Sequence, residues 1–134
     1  MAQTEPTDRE LEILKVLWDR GEATVREVYE DLRDQAAIVQ NTVQAFLRTM
    51  EEKGLVTHRT EGRSFIYRPT QPRSDTSQQM VSGLMERLFD GAMDQLVQSA
   101  LSLRQPTVEE LRKLDELLSK VRRKTGPGAG GRRP

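Results

Sequence analysis

Apolar residues near the start of the chain recur at three- and four-residue intervals. Leu11, Leu14 and Trp18, with Ile13 and Leu17 beside them, form one stripe that predicts a helix over Asp8–Arg20. Thr7 and Glu10 stand at its start with the spacing of a capping box, and Gly21 follows as its C-terminal stop. A second box, Thr24 with Glu27, opens a second helix after about three residues. Val25, Val28, Tyr29 and Leu32 form its stripe, while Arg26, Glu30, Asp31, Arg33 and Asp34 face water. Val43, Phe46, Leu47 and Met50 mark a third helix over about 41–53, ended by a left-handed turn at Gly54.

After Gly54 the period changes. Residues 55–59 and 64–68 are rich in β-branched and aromatic side chains, and 60–63 between them contains Glu61-Gly62, so a hairpin tipped by an arginine is predicted. Phe65 and Tyr67 share one strand face and are read as core, as is Trp18; His58 is read as a strand-surface residue. Pro69 and Pro72 break the pattern, with 71–75 as a short hinge.

From 75 to 103 a broad helical stripe runs through Met80, Val81, Leu84, Met85, Leu88, Phe89, Met93, Leu96, Val97 and Leu101, too apolar to remain exposed. Pro106 ends it. Thr107 with Glu110 makes a third capping box, which opens a last helix bearing Leu111, Leu114, Leu117, Leu118 and Val121. From Ser119 onward there are six basic residues and no acidic one, and 126–134 reads as a flexible tail.

Three helices followed by a hairpin is the order of a winged helix-turn-helix. The expected fold is therefore mainly α with a small β-hairpin. It divides into a winged-helix DNA-binding domain over 1–73, a helical dimerisation domain over 74–123 and a disordered basic tail over 124–134. Two copies interlocking through Met80, Leu84, Leu88, Phe89, Leu96, Leu114 and Leu118 would cover the stripe; burial of these residues within one chain is the alternative.

Composition narrows the function. There is no cysteine and a single histidine, which excludes thiolate chemistry and cysteine metal sites and leaves no metal or cofactor to propose. No apolar run reaches the length of a membrane span and the N-terminus is polar, so a cytoplasmic protein without a membrane partner is expected. No pairing of nucleophile and base, or of carboxylates, has an interpretable spacing, so no enzyme is expected. Net charge is zero, with 21 basic and 21 acidic residues, but it is unevenly spread. Residues 1–37 carry five basic and ten acidic groups, whereas 38–73 carry six basic and three acidic ones.

At about 100° per residue, Asn41, Ala45 and Arg48 lie opposite the apolar stripe of the third helix, flanked by Thr42, Gln44 and Thr49. Arginine can grip guanine with two hydrogen bonds, asparagine and glutamine can do the same with adenine, and threonine meets phosphate or a thymine methyl. The amides of Thr42 and Val43 at the positive helix end are candidates for a phosphate, unless Asn41 caps the helix and is thereby committed to backbone. Arg63 at the wing tip, with Arg59 and Arg68 behind it and Lys53 at the helix end, completes the phosphate contacts. The expected partner on these residues is double-stranded DNA. A winged-helix protein-interaction module is the alternative.

Five stretches then carry a resemblance: 10–18 (ELEILKVLW), 21–28 (GEATVREV), 41–44 (NTVQ), 47–56 (LRTMEEKGLV) and 61–67 (EGRSFIY). With Phe89-Asp90-Gly91 and 107–111 (TVEEL), they make the chain similar to the penicillinase-repressor family (BlaI/MecI/CopY) of bacterial transcription regulators. The resemblance covers about 7–121 and implies a homodimer on an inverted repeat, with the C-terminal helices interlocked. It also implies an inducer as partner. Copper-responsive members carry paired cysteines that this chain lacks, and β-lactam-responsive members are cut by a sensor protease at an Asn-Phe bond that aligns with Ser99-Ala100 here.

Overall fold

In the computed structural model, residues 5–130 are described, with side chains described as far as Thr125. The chain forms two compact units, 1–84 and 85–134. The first contains α1 (Asp8–Arg20), β1 (Ala23–Thr24), α2 (Val25–Leu32), α3 (Gln40–Glu52), β2 (Val56–Glu61) and β3 (Ser64–Pro69). It also holds most of α4 (Arg73–Phe89).

The helix starts form as the capping residues dictate. The Thr7 hydroxyl accepts from the Glu10 amide at 3.3 Å and Glu10 Oε1 accepts from the Thr7 amide at 2.9 Å; Thr24 and Glu27 repeat this at 3.1 and 2.9 Å. The apolar stripes meet in one core. Ile13, Leu14 and Leu17 of α1 pack with Val28 and Leu32 of α2, and Val43, Leu47 and Met50 of α3 close over them. A Schellman turn stops α3: the Leu55 amide donates to Met50 O at 2.9 Å and the Gly54 amide to Glu51 O at 3.0 Å, with Gly54 at φ +85°. Leu55 and Val56 are thereby turned into the core as β2 begins.

Three readings of this unit change. The hairpin is two strands of a three-stranded antiparallel sheet, ordered β1-β3-β2, because Ala23 pairs with Tyr67 and Thr24 with Ile66. A two-residue strand is too short to carry a period. The turn sits at Gly62-Arg63, since Glu61 pairs with Ser64; Gly62 at φ +61° supplies the first central position of a type II′ turn. Phe65 is not core but 46% exposed, whereas Tyr67 is buried. Trp18 is half-buried, and its indole N–H donates to Gln71 O at 2.9 Å.

That bond also alters the expected hinge at 71–75. Helix α4 already begins at Arg73, the Asp75 and Thr76 amides donate to Pro72 O at 3.1 and 3.3 Å, and Thr76 is buried. The boundary between compact units falls inside α4 rather than at residue 73.

The second unit holds the end of α4, then α5 (Met93–Ser102) and α6 (Val108–Gly130). The stripe over 75–103 is therefore two helices. Asp90 and Gly91 both take positive φ, 51° and 82°, which ends α4, and the Gly91 amide donates back to Met85 O at 3.0 Å. The third capping box forms, with Thr107 N to Glu110 Oε1 at 2.9 Å and Glu110 N to Thr107 Oγ1 at 3.0 Å. The expected disordered tail over 124–134 begins inside α6, which runs to Gly130 once the helix-forming run 119–124 has carried it past Val121. Residues 131–134 lie outside the described residues.

Candidate nucleic-acid interface

Helix α3 starts without a side-chain cap. Its N-cap is Val39, whose carbonyl accepts the amides of Thr42 and Val43 at 3.0 and 3.1 Å. Those two amides are occupied, so the expected phosphate contact through them is corrected: the amides without a backbone acceptor at this end are those of Gln40 and Asn41. Because Val39 holds the cap position, the Asn41 side chain is not committed to backbone. It is exposed, as are Thr42, Gln44, Ala45, Arg48 and Thr49.

Gln40, Gln44 and Arg48 fall four residues apart on one line of α3, and together they form one wall of a concavity of about 430 Å³. The wing forms the opposite wall through Arg63, Ser64, Phe65 and Tyr67, and the start of α2 closes it with Thr24, Val25 and Arg26. Arg48 and Arg63 thus face the same open space from different elements. Neither forms an ion pair with a described residue, and the same holds for Arg68. Gln40 was within reach of sequence reasoning through its four-residue spacing from Gln44. Arg26 and Thr24 were not, because only packing brings α2 alongside the wing.

Two expected phosphate contacts already have partners. Lys53 Nζ donates to both oxygens of the buried Glu10 at 2.8 and 2.9 Å, which ties the end of α3 to the start of α1. Arg59 bonds Glu22 at 2.8 Å and lies 3.6 Å from Glu61, and these carboxylates push its pKa further up. Arg20 bonds Asp31 through two nitrogens at 2.8 and 2.9 Å; this interaction holds the Asp31 carboxyl below its usual range and locks α1 to α2.

The wing is joined to α3 by side chains. His58 Nδ1 lies 2.8 and 2.9 Å from the two Glu51 oxygens, and its ring stacks on Phe65 with centroids 4.1 Å apart. Tyr67 lies opposite His58 across the ladder. Burial pushes the Tyr67 hydroxyl pKa up, the Glu51 charge adds to this, and Arg48 opposes it. These contacts fix the distance between α3 and the wing. Both therefore present cations to a ligand as one preformed surface.

The chain matches the penicillinase repressor family over residues 6–120. It belongs to that family. Relatives of the repressor family include the penicillinase repressor of Bacillus licheniformis, 30% identical over 112 residues that cover 84% of this chain and 88% of the relative. The methicillin resistance regulatory protein MecI of Staphylococcus aureus is 18% identical over 116 residues, covering 87% of this chain and 94% of MecI. Among solved structures, the monomeric form of Bacillus licheniformis BlaI in complex with the blaP half-operator is 32% identical, covers 55% of this chain and 90% of its own, and has a TM-score of 0.49.

In this member of the repressor family the second unit buries none of its described residues. Leu84, Leu88, Leu114 and Leu118 are exposed in the single chain, Leu88 by 65%, while Met80, Phe89 and Leu96 are half-buried. Ser99 and Ala100, aligned above with a protease cut, lie exposed on α5. No described helix is long and apolar enough to cross a membrane.

Proposed function

We propose that the chain is a transcriptional repressor that occupies a palindromic DNA operator as a homodimer. The observation that carries this reading is the pairing of Arg48 with Arg63 across one concavity, both without a carboxylate partner among the described residues and with Gln40 and Gln44 beside Arg48. In this reading α3 enters the major groove, where Asn41, Gln44 and Arg48 meet base edges and Thr42, Ala45 and Thr49 meet thymine methyls or phosphate. Arg63 and Arg68 on the wing hold flanking phosphates. Membership of the repressor family supports it.

The second unit supports the homodimer. Apolar side chains left in water on α4, α5 and α6 cost about 1.5–3 kcal/mol per leucine-sized group relative to burial, and a second copy offers the same stripe in return. A two-fold pair carries two copies of α3, which fits an inverted repeat with half-sites about one helical turn, or 10 base pairs, apart.

The test is selection of bound genomic fragments by the purified protein, followed by Arg48→Ala with Gln44→Ala on the enriched sequence. Each two-bond base contact contributes about 1–3 kcal/mol, so the folded double variant should lose about 2–6 kcal/mol of specific affinity. Full retention of specific affinity would remove α3 as the reader.

A further inference from the structure

The basic run late in α6 is not used by the interface described above. From Ser119 onward the chain has six basic residues and no acidic one, against 15 basic and 21 acidic residues before it. Lys120, Arg122, Arg123 and Lys124 lie on described, exposed helix. The two arginines before it in this part of the chain are neutralised locally: Arg104 pairs with Glu110, and Arg112 with Glu109 and Glu116. Glu116, one turn before Lys120, is thus taken, and none of the four late cations has a carboxylate partner among the described residues.

Helix electrostatics do not account for the run. Cations are favoured in the last turn of a helix, but α6 continues to Gly130 and has no basic residue there. Lys120, Arg123 and Lys124 instead form a ridge at three- and four-residue spacing, where like charges repel and weaken a helix. The family match ends at residue 120, where the run begins. A polyanion would relieve this repulsion. Over its described length α6 contains no Trp, Tyr or Phe to anchor it in a lipid interface, which favours nucleic acid over a membrane surface.

We propose that this end of α6 is a second DNA contact, which grips duplex phosphates without regard to sequence while α3 reads the operator. The proposal rests on the DNA-binding reading above, but its test separates the two. The full chain and a variant with Lys120→Gln, Arg122→Gln, Arg123→Gln and Lys124→Gln are titrated with a random-sequence duplex of about 30 base pairs, over about 50 to 200 mM salt. The same titration uses the selected operator, with Arg48→Ala/Gln44→Ala as the control.

Each phosphate contact contributes about 0.9 to the slope of log affinity against log salt, so the tail variant, lacking four cations, should lose up to about 3.6 in slope and at least about tenfold in random-duplex affinity. The Arg48/Gln44 control should lose operator preference and change the random-duplex slope by no more than about one, because it removes a single cation. If the control and the parent both lack operator preference while the tail effect persists, the operator reading fails and this one stands. An unchanged slope in a tail variant with parental helicity overturns the proposal. So does a tail variant that only weakens self-association, which would assign the run to acidic groups of a second copy. Binding of the parent to phosphatidylglycerol vesicles but not to duplex would also overturn it.

Discussion

Lys53 offers a sharp test of what holds the recognition helix in place. Its ammonium donates to both Glu10 oxygens, and Glu10 is 2% exposed while the Lys53 side chain is 24% exposed. In Lys53→Met the aliphatic stem remains, but the Glu10 carboxylate keeps only the Thr7 amide at 2.9 Å and no counter-charge. Breaking a fully buried pair costs about 3–5 kcal/mol. Water can reach the partly exposed Lys53 side, which lowers the expected cost to about 2–3 kcal/mol. For a unit of this size each kcal/mol shifts Tm by about 4–8 °C, so a fall of roughly 8–24 °C is expected in far-UV circular dichroism. Adding Glu10→Gln removes the stranded charge while keeping an acceptor for the Thr7 amide, and should recover more than half of the loss. A fall of less than about 3 °C, or a double variant worse than the single one, would refute the reasoning. DNA titrations below the lowered Tm should show an unchanged salt slope; a loss of about one would mean that Lys53 holds a phosphate after all.

Three further outcomes follow from particular residues. Gly62→Ala should cost about 1–2 kcal/mol in urea unfolding, because φ +61° disfavours any Cβ even though nothing lies within 4 Å of it; no change in midpoint would remove the strained wing turn. Leu114→Asp with Leu118→Asp should shift the sedimentation mass towards the monomer while the winged-helix unit keeps its folded signals, and an undisturbed dimer would move the interface elsewhere. The Arg104 side chain, followed by the Thr107 amide, holds the Glu110 carboxyl down to about 2 against an ordinary value of 4.5. A depressed carboxyl contributes its stabilisation above the ordinary value and loses it as pH falls through the lower one, so the start of α6 should loosen between about pH 4.5 and 2. Carboxyl NMR titration should place the midpoint there, and Arg104→Ala should raise it; an ordinary midpoint in the parent would sink the assignment.

Much of the site was legible because its signals are local. Arg48 could be placed opposite Val43, Leu47 and Met50, and Gln44 on the flank beside it, from helical period alone, since a buried stripe forces the other face outward. Arg63 at the wing tip was legible too, but the rest of what α2 and the wing contribute was not. Thr24, Arg26 and Phe65 join Arg48 only through the pairing of β1 with β3 and the packing of three helices. The same limit explains Lys53 and Arg59: a cation on an exposed-looking segment reads as available until the fold brings Glu10 or Glu22 to it from far along the chain.

The sequence by itself determined where α1 and α2 start and what stops α1 and α3, because a capping box, a glycine at positive φ and a stripe of apolar residues act over only a few positions. It also set the order of helices and hairpin, and hence the winged-helix class. Only the tertiary structure decided the third strand, the break at Asp90-Gly91, the exposure of Phe65 and which cations remain unpaired. Those depend on contacts between residues distant in sequence, where the energy of a strand pair or an ion pair is set by neighbours that no local pattern names.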